Sequence, residues 1–179
     1  RSVSHVRLLL FQTGFSYVWL SQDCGHVKSF ISAFKQRCKD IDMQNWCSKI
    51  TNSAFLNHYS SFKSVLEPEK YILELCHDKD PIRVLFKFRC MSHKLLVQQL
   101  RFKKIDAHSA ICNRCDFNVI QDEYHFLLIC PFYANQRALY IPSFYTTYPS
   151  RSKFTLLMSA NNIQLLKRIA LYLKHNLPM

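Results

Sequence analysis

"ICNRCDFNVIQDEYHFLLIC", residues 111–130, places three cysteines and a histidine within one short stretch, and its reading decides the fold. If Cys112, Cys115, His125 and Cys130 meet around one ion, the chain is a helical domain carrying a small metal-organised insert. If they do not, the stretch is an apolar run belonging to an ordinary core. The spacing is Cys-x2-Cys-x9-His-x4-Cys. Thiolate and imidazole are the ligands zinc prefers, and two cysteines separated by two residues reach one ion because the turn between them folds back. The gap "DFNVIQDEY" is long enough for a hairpin, or for a turn with a helix start, that returns the second pair. Regular structure alone would separate that second pair. In a strand His125 and Cys130 point to opposite faces, and in an α-helix an offset of five residues rotates them by about 140°. Pro131 supplies the exit, because it disfavours helix at Cys130 and frees that residue to swing back.

Two other arrangements use the same residues. A lone Cys-x-x-Cys can be a redox pair, but that chemistry expects a strand before it and a helix opening at the first cysteine, within a βαβ pattern. Alternatively the three thiols and the imidazole are core residues, a plain reading for Cys130 in "FLLIC". The complete four-residue spacing favours one structural zinc ion over both. With all four positions filled, no site remains for a catalytic water. His108, just upstream, is an alternative ligand, although a solvated or capping role suits it better.

Outward from this stretch the apolar spacing is helical. "VKSFISAFKQRC" (27–38) puts Val27, Phe30, Ile31, Phe34 and Cys38 on one stripe, "DMQNWCSKI" (42–50) reads as a second, short helix, and "SAFLNHYSSFKSVL" (53–66) reads as a third through Phe55, Tyr59 and Phe62. Pro68 ends that helix and can open the next. Asp80-Pro81 repeats the device, an N-cap candidate before proline, ahead of "IRVLFKFRCMSHKLLVQQLRFKK" (82–104). In this central segment Leu85, Phe88, Met91 and Leu95 face the core. Arg83, Lys87, Lys94 and Arg101 form a cationic row, and Ser92 offers a cap if the helix breaks. "FYANQRALYI" suggests a further helix, "PSFYTTYPSRS" a loop, and residues 162–175 a last helix with Ile163, Leu166, Ala170 and Leu173 on its stripe. The expected fold is mainly α, a helical, bundle-like domain with a small zinc-knuckle insert in which a short hairpin has room. Residues 1–107 form a helical region with a basic central helix, 108–133 the knuckle, and 134–179 C-terminal helices packing on the same continuous domain.

Composition agrees with a packed, basic chain. Its 179 residues are 49% hydrophobic and 14% aromatic, which excludes a disordered tail, and two glycines are few for an all-β design. The formal charge of +12 is uneven: residues 81–110 hold seven Lys/Arg against one acid, and residues 131–179 six against none. Such asymmetry suggests a surface facing a polyanion, RNA or DNA first, while a solvated face explains any charge row as well. No apolar run approaches the roughly 18 to 20 residues of a membrane span, and "HVRLLLFQTGFSYVWL" is too broken for a secretory signal. Beginning at Arg1, the chain reads as a piece of a longer polypeptide. Eight cysteines without any Asn-x-Ser/Thr acceptor favour reduced, buried thiols and an intracellular setting, cytoplasm or nucleus, over a secreted one.

"RCMSHKLLVQQLRF", "CNRC" and "DEYHFLLICPFYANQR" together resemble the C-terminal region of reverse transcriptases from non-LTR, LINE-like retrotransposons. The matching residues are Arg89, Ser92, His93 and Leu95, then Cys112, Cys115, Glu123, His125, Phe126, Cys130, Pro131 and Tyr133. Family members commonly carry Glu-x-Gly-Arg before the knuckle, where this chain has Gln98-Gln99-Leu100-Arg101. The resemblance implies a CCHC knuckle that follows a polymerase domain and helps hold template RNA or target DNA. In that reading Arg83, Lys87, Lys94, Arg101, Lys103 and Lys104 contact phosphates, and Phe117 or Tyr124 offers a stacking surface. The chain has no Asp-Asp pair for two-metal polymerisation, and its Asp-x-Asp pairs, Asp40/Asp42 and Asp78/Asp80, read as turn and N-cap residues. It is therefore expected to be a non-catalytic accessory piece of an RNA-directed DNA polymerase-like protein. The competing expectation is a zinc-stabilised helical interaction module, or the relic of a decayed element.

Overall fold

A computed structural model of the chain describes residues 3–53, 56, 58–74, 77 and 79–177; Phe55, Cys76 and Asp78 lie outside these. The chain falls into two units, Arg1–Asn52 and Ser53–Met179, so the helical region expected over 1–107 is shared between them and the cysteine segment belongs to the second.

In the first unit α1 (Val3–Thr13) ends at Gly14, whose φ of +85° lets Phe15 N–H reach back to the Leu10 carbonyl at 2.8 Å before α2 (Ser16–Ser21) begins. No proline or glycine interrupts residues 27–51, and the two helices expected there are one: α3, Val27–Thr51. Phe30 and Phe34 pack on Phe15 with ring centroids 5.6 Å away in each case. Val27 and Ile31, expected on the same stripe, are exposed, and Asp40 and Asp42 stand on the helix surface rather than at a turn.

In the second unit a helix is expected over 53–66, and among the described residues of that stretch the helical structure is a 3-10 turn, Tyr59–Ser61. Serine competes for the backbone here, with Ser61 Oγ donating to the His58 carbonyl at 2.7 Å. After α4 (Lys70–Glu74) the central segment forms α5 (Lys79–Arg89) and α6 (Leu96–Phe102). Asp80 lies in the first turn of α5, where a carboxylate suits the helix dipole, rather than at the N-cap. The break between α5 and α6 comes at Met91, at φ +55°, with Ser92 N–H bonded to the Lys87 carbonyl at 2.8 Å and Met91 N–H to the Phe88 carbonyl at 3.1 Å. This is the Schellman ending that usually takes glycine. Lys104, at φ +57°, ends α6 in the same way, through Ile105 N–H to the Leu100 carbonyl at 2.9 Å. Ser92 does not cap α6; Leu95 precedes that helix without a side-chain cap.

Beyond the cysteine segment come α7 (Ala134–Tyr140), α8 (Ser143–Thr146), α9 (Arg151–Met158) and α10 (Ile163–Asn176). The stretch expected to be a loop thus holds α8, and α9 starts within it, where the Ser150 side chain accepts from Lys153 N–H at 3.2 Å. The expected last helix is α10, capped by Asn162, whose Oδ1 accepts from Leu165 N–H at 2.9 Å. It packs along α5, burying Leu166, Ala170 and Leu173, while Leu85, Phe88, Met91 and Leu95 are buried as their spacing predicts. The architecture is mainly α. Among the described residues β structure is limited to one isolated antiparallel bridge, Ile111 to Ile120, and no helix is long and apolar enough to cross a membrane.

Candidate metal centre

The bridge positions the first two candidate ligands. Cys112 N–H bonds the Val119 carbonyl at 2.8 Å and Gln121 N–H bonds the Ala110 carbonyl at 2.7 Å, closing a small hairpin loop in which Cys115 sits on the bend. His125 opens a π-helical turn, His125–Ile129, with its N–H held by Asp122 Oδ1 at 2.7 Å. The wider i to i+5 winding brings residue 130 closer to the register of residue 125 than α winding would. Cys130 N–H closes it on the His125 carbonyl at 2.8 Å, and Cys130 itself leaves the helix at φ −52°, ψ 120°, before Pro131.

The result is one cluster. The donor atoms of Cys112, Cys115, His125 and Cys130 all lie within 4.8 Å of one another, with Cys115 Sγ 3.4 Å from His125 Nε2. A tetrahedral site with Zn–S near 2.3 Å and Zn–N near 2.0 Å has edges of about 3.5 to 3.8 Å, so the arrangement fits. The site can hold one metal ion. Nε2 faces the thiols, and burial lowers the basicity of His125 with Arg137 adding to the effect and Asp122 opposing it, which favours the neutral imidazole that ligates. Burial and the neighbouring thiols push the Cys130 thiol up to about 12, despite a hydrogen bond from the Phe132 backbone. Three sulfurs gathered without a cation oppose ionisation, and a bound cation reverses that preference.

The cluster is tied into the core rather than hung beside it. Phe126, fully buried, lies between the last two ligands with its ring centroid 4.8 Å from Tyr133, 5.6 Å from Tyr172 and 6.0 Å from Phe88. Tyr172 in α10 donates to the Phe126 carbonyl at 3.1 Å, and the buried Arg137 guanidinium donates to the Cys130 carbonyl. Glu123, two residues before His125, is 2% exposed and stands 3.0 Å from His93 Nε2. Burial would raise its carboxyl, but hydrogen bonds from His93 and Gln98 hold it down at about 2. Leu95 N–H donates to His93 Nδ1 at 3.3 Å, which leaves Nε2 to carry the proton toward Glu123. Arg89 is buried against Phe62 and Tyr71, with Nη1 3.1 Å from Glu69. Thus Arg89, His93, Glu123 and Phe126, singled out by motif, are packing and anchoring residues. Gln98, Arg137 and Tyr172 join them without any signal of their own in the sequence beyond residue type.

The six candidate phosphate-contacting residues divide. Arg83, Lys87 and Lys94 are exposed and line one cavity, joined by Lys174 of α10. Arg101 is half-buried in α6, and Lys103 and Lys104, though exposed, occupy the turn after it and do not line that cavity. Phe117 is exposed, whereas Tyr124 packs on Phe154 beneath the Arg151 guanidinium, 4.4 Å from its ring. His108 is exposed and outside the cluster. Cys24, Cys38 and Cys90 are half-buried and Cys47 is exposed rather than buried; all are free thiols. The cluster is the one group of three or more metal-ligating side chains found among the described residues. Comparison with family models, curated proteins and solved structures finds no match to this chain.

Proposed function

We propose that this chain is a zinc-stabilised, non-catalytic nucleic-acid-binding module, similar to the segment that follows the polymerase domain in LINE-like reverse transcriptases, and that it works inside the cell. Zinc is the ion that three thiolates and one imidazole prefer, and a closed four-donor set gives it a structural role. The observation that carries the nucleic-acid reading is the gathering of Arg83, Lys87 and Lys94 with Lys174 around one cavity beside α5, where Asp80 is the acid among the described lining residues. The resemblance carried by the stretches between Arg89 and Arg137 points the same way. The cations would hold the sugar-phosphate backbone, and the metal would fix the core from which α5 projects.

The test is fluorescence anisotropy of a labelled single-stranded RNA, and of the matching DNA, titrated with the zinc-loaded chain at several salt concentrations. Log affinity is expected to fall linearly with log salt by about 0.7 per phosphate contact. The double substitution Lys87→Glu, Lys94→Glu should flatten that slope. Absent or salt-independent binding would sink the reading and leave the second one, a helical protein-interaction module. That alternative is favoured by the exposed apolar residues Leu8, Leu9, Leu20 and Ile31 of the first unit.

A further inference from the structure

The cavity between α5, residues 92–94 and the C-terminal half of α10 has a volume of about 440 Å³, within the range of small-molecule sites. Its rim is cationic and its floor is aliphatic. Arg83 and Lys87 stand one turn apart on α5, Lys94 comes from the turn after that helix, and Lys174 from α10, while the half-buried Val84 and Leu177 supply the apolar surface, with the buried Leu173 beneath. Like charges four residues apart destabilise a helix, so the Arg83–Lys87 pair opposes the fold it sits on. Asp80, the acid among the described rim residues, is exposed and 3.9 Å from Lys174, and it offsets only part of this charge. His93, at the back of the cavity, is already engaged: Nδ1 accepts from Leu95 N–H, Nε2 faces Glu123, and its ring stacks on Phe88 at 5.0 Å. The wall is therefore preformed and does not compete for a ligand.

An inorganic anion would satisfy the rim and leave the aliphatic floor wet, whereas an uncharged ring would cover the floor and leave the rim cations with Asp80 as their one described counter-charge. We infer that the cavity receives a single nucleotide, its base lying on Val84 and Leu177 and its phosphate held by Arg83, Lys87, Lys94 and Lys174. This deepens the nucleic-acid reading and rests on it: the nucleotide is an unpaired one, turned out of the bound strand.

Isothermal titration of the full zinc-loaded chain with adenosine 5′-monophosphate, adenosine and inorganic phosphate tests the inference. The monophosphate is expected to bind at least about tenfold more tightly than either fragment, since it engages both surfaces. Asp80→Asn, which removes the opposing carboxylate from an exposed position, should tighten the monophosphate by roughly two- to fivefold, a gain that a merely structural role would not produce. Leu177→Glu should weaken it about tenfold without changing the zinc content. A monophosphate bound no more tightly than phosphate, or unaffected by Asp80→Asn, overturns the inference. The strand titrations separate the two failures. Salt-dependent RNA binding without monophosphate binding removes the cavity and keeps the module, while monophosphate binding without strand binding leaves a mononucleotide site and removes the strand.

Discussion

Among its described residues the first unit leaves Val3, Leu8, Leu20 and Val27 in solvent and buries only Leu10, Thr13 and Ile50, whereas the second, which also has exposed apolar residues, buries one continuous cluster that includes Phe126. Both units are helical, so the contrast separates helix formation from core formation. A helix satisfies its backbone locally, and α3 can run for 25 residues with only Ile50 buried. A core needs groups distant in sequence to be held together, which the segment 111–130 does for α5, α7 and α10 through the Cys/His donor cluster, Glu123–His93, Arg137 and Tyr172.

The largest expected effect is removal of the metal. A structural zinc site contributes about 10 to 16 kcal/mol of metal-binding free energy at neutral pH. Chelation, or Cys115→Ser, should therefore abolish hydrogen-exchange protection in α5 and α10 while leaving α3 as it was. Unchanged protection in α5 and α10, with no metal in the purified protein, would reduce the four donors to core residues. Next is Phe126→Ala, expected to cost about 3 to 5 kcal/mol in denaturant titrations through lost burial and the cavity left behind. A loss under about 1 kcal/mol, far below the usual cost of such a truncation, would mean that the metal alone organises the second unit. Glu123→Gln should cost about 2 to 3 kcal/mol and leave zinc content intact, because it weakens a buried pair without touching a ligand. Metal analysis alongside melting checks both halves of that expectation. The smallest effect belongs to the first unit, where Leu20→Gln, at a side chain 73% exposed, should change stability by less than about 0.5 kcal/mol. A larger loss would show that this surface is covered in solution and would erase the contrast.

Much of the second unit is written in local signals. Apolar spacing locates α5 and α10 and their buried faces, the ligand spacing names four donors that the fold gathers within 4.8 Å, and Pro131 announces the departure of Cys130 from helix. Periodicity, proline geometry and ligand chemistry each act over a few residues, which is why a sequence displays them. The merging of 27–38 with 42–50 is legible too, in the absence of any breaker between them. Other features exist only once the chain has packed. The π turn at 125–129, left-handed Met91 where glycine is scarce, and the burial of Arg89, Glu123 and Arg137 each hold because distant partners over-determine them. The cationic row divides for the same reason. Arg83, Lys87, Lys94 and Arg101 share a flank only on an unbroken helix, and the turn at Met91 re-aims the residues after it. Packing of α10 on α5 then brings Lys174 to the rim, because proximity across a core depends on how two helices meet and not on the spacing along either one.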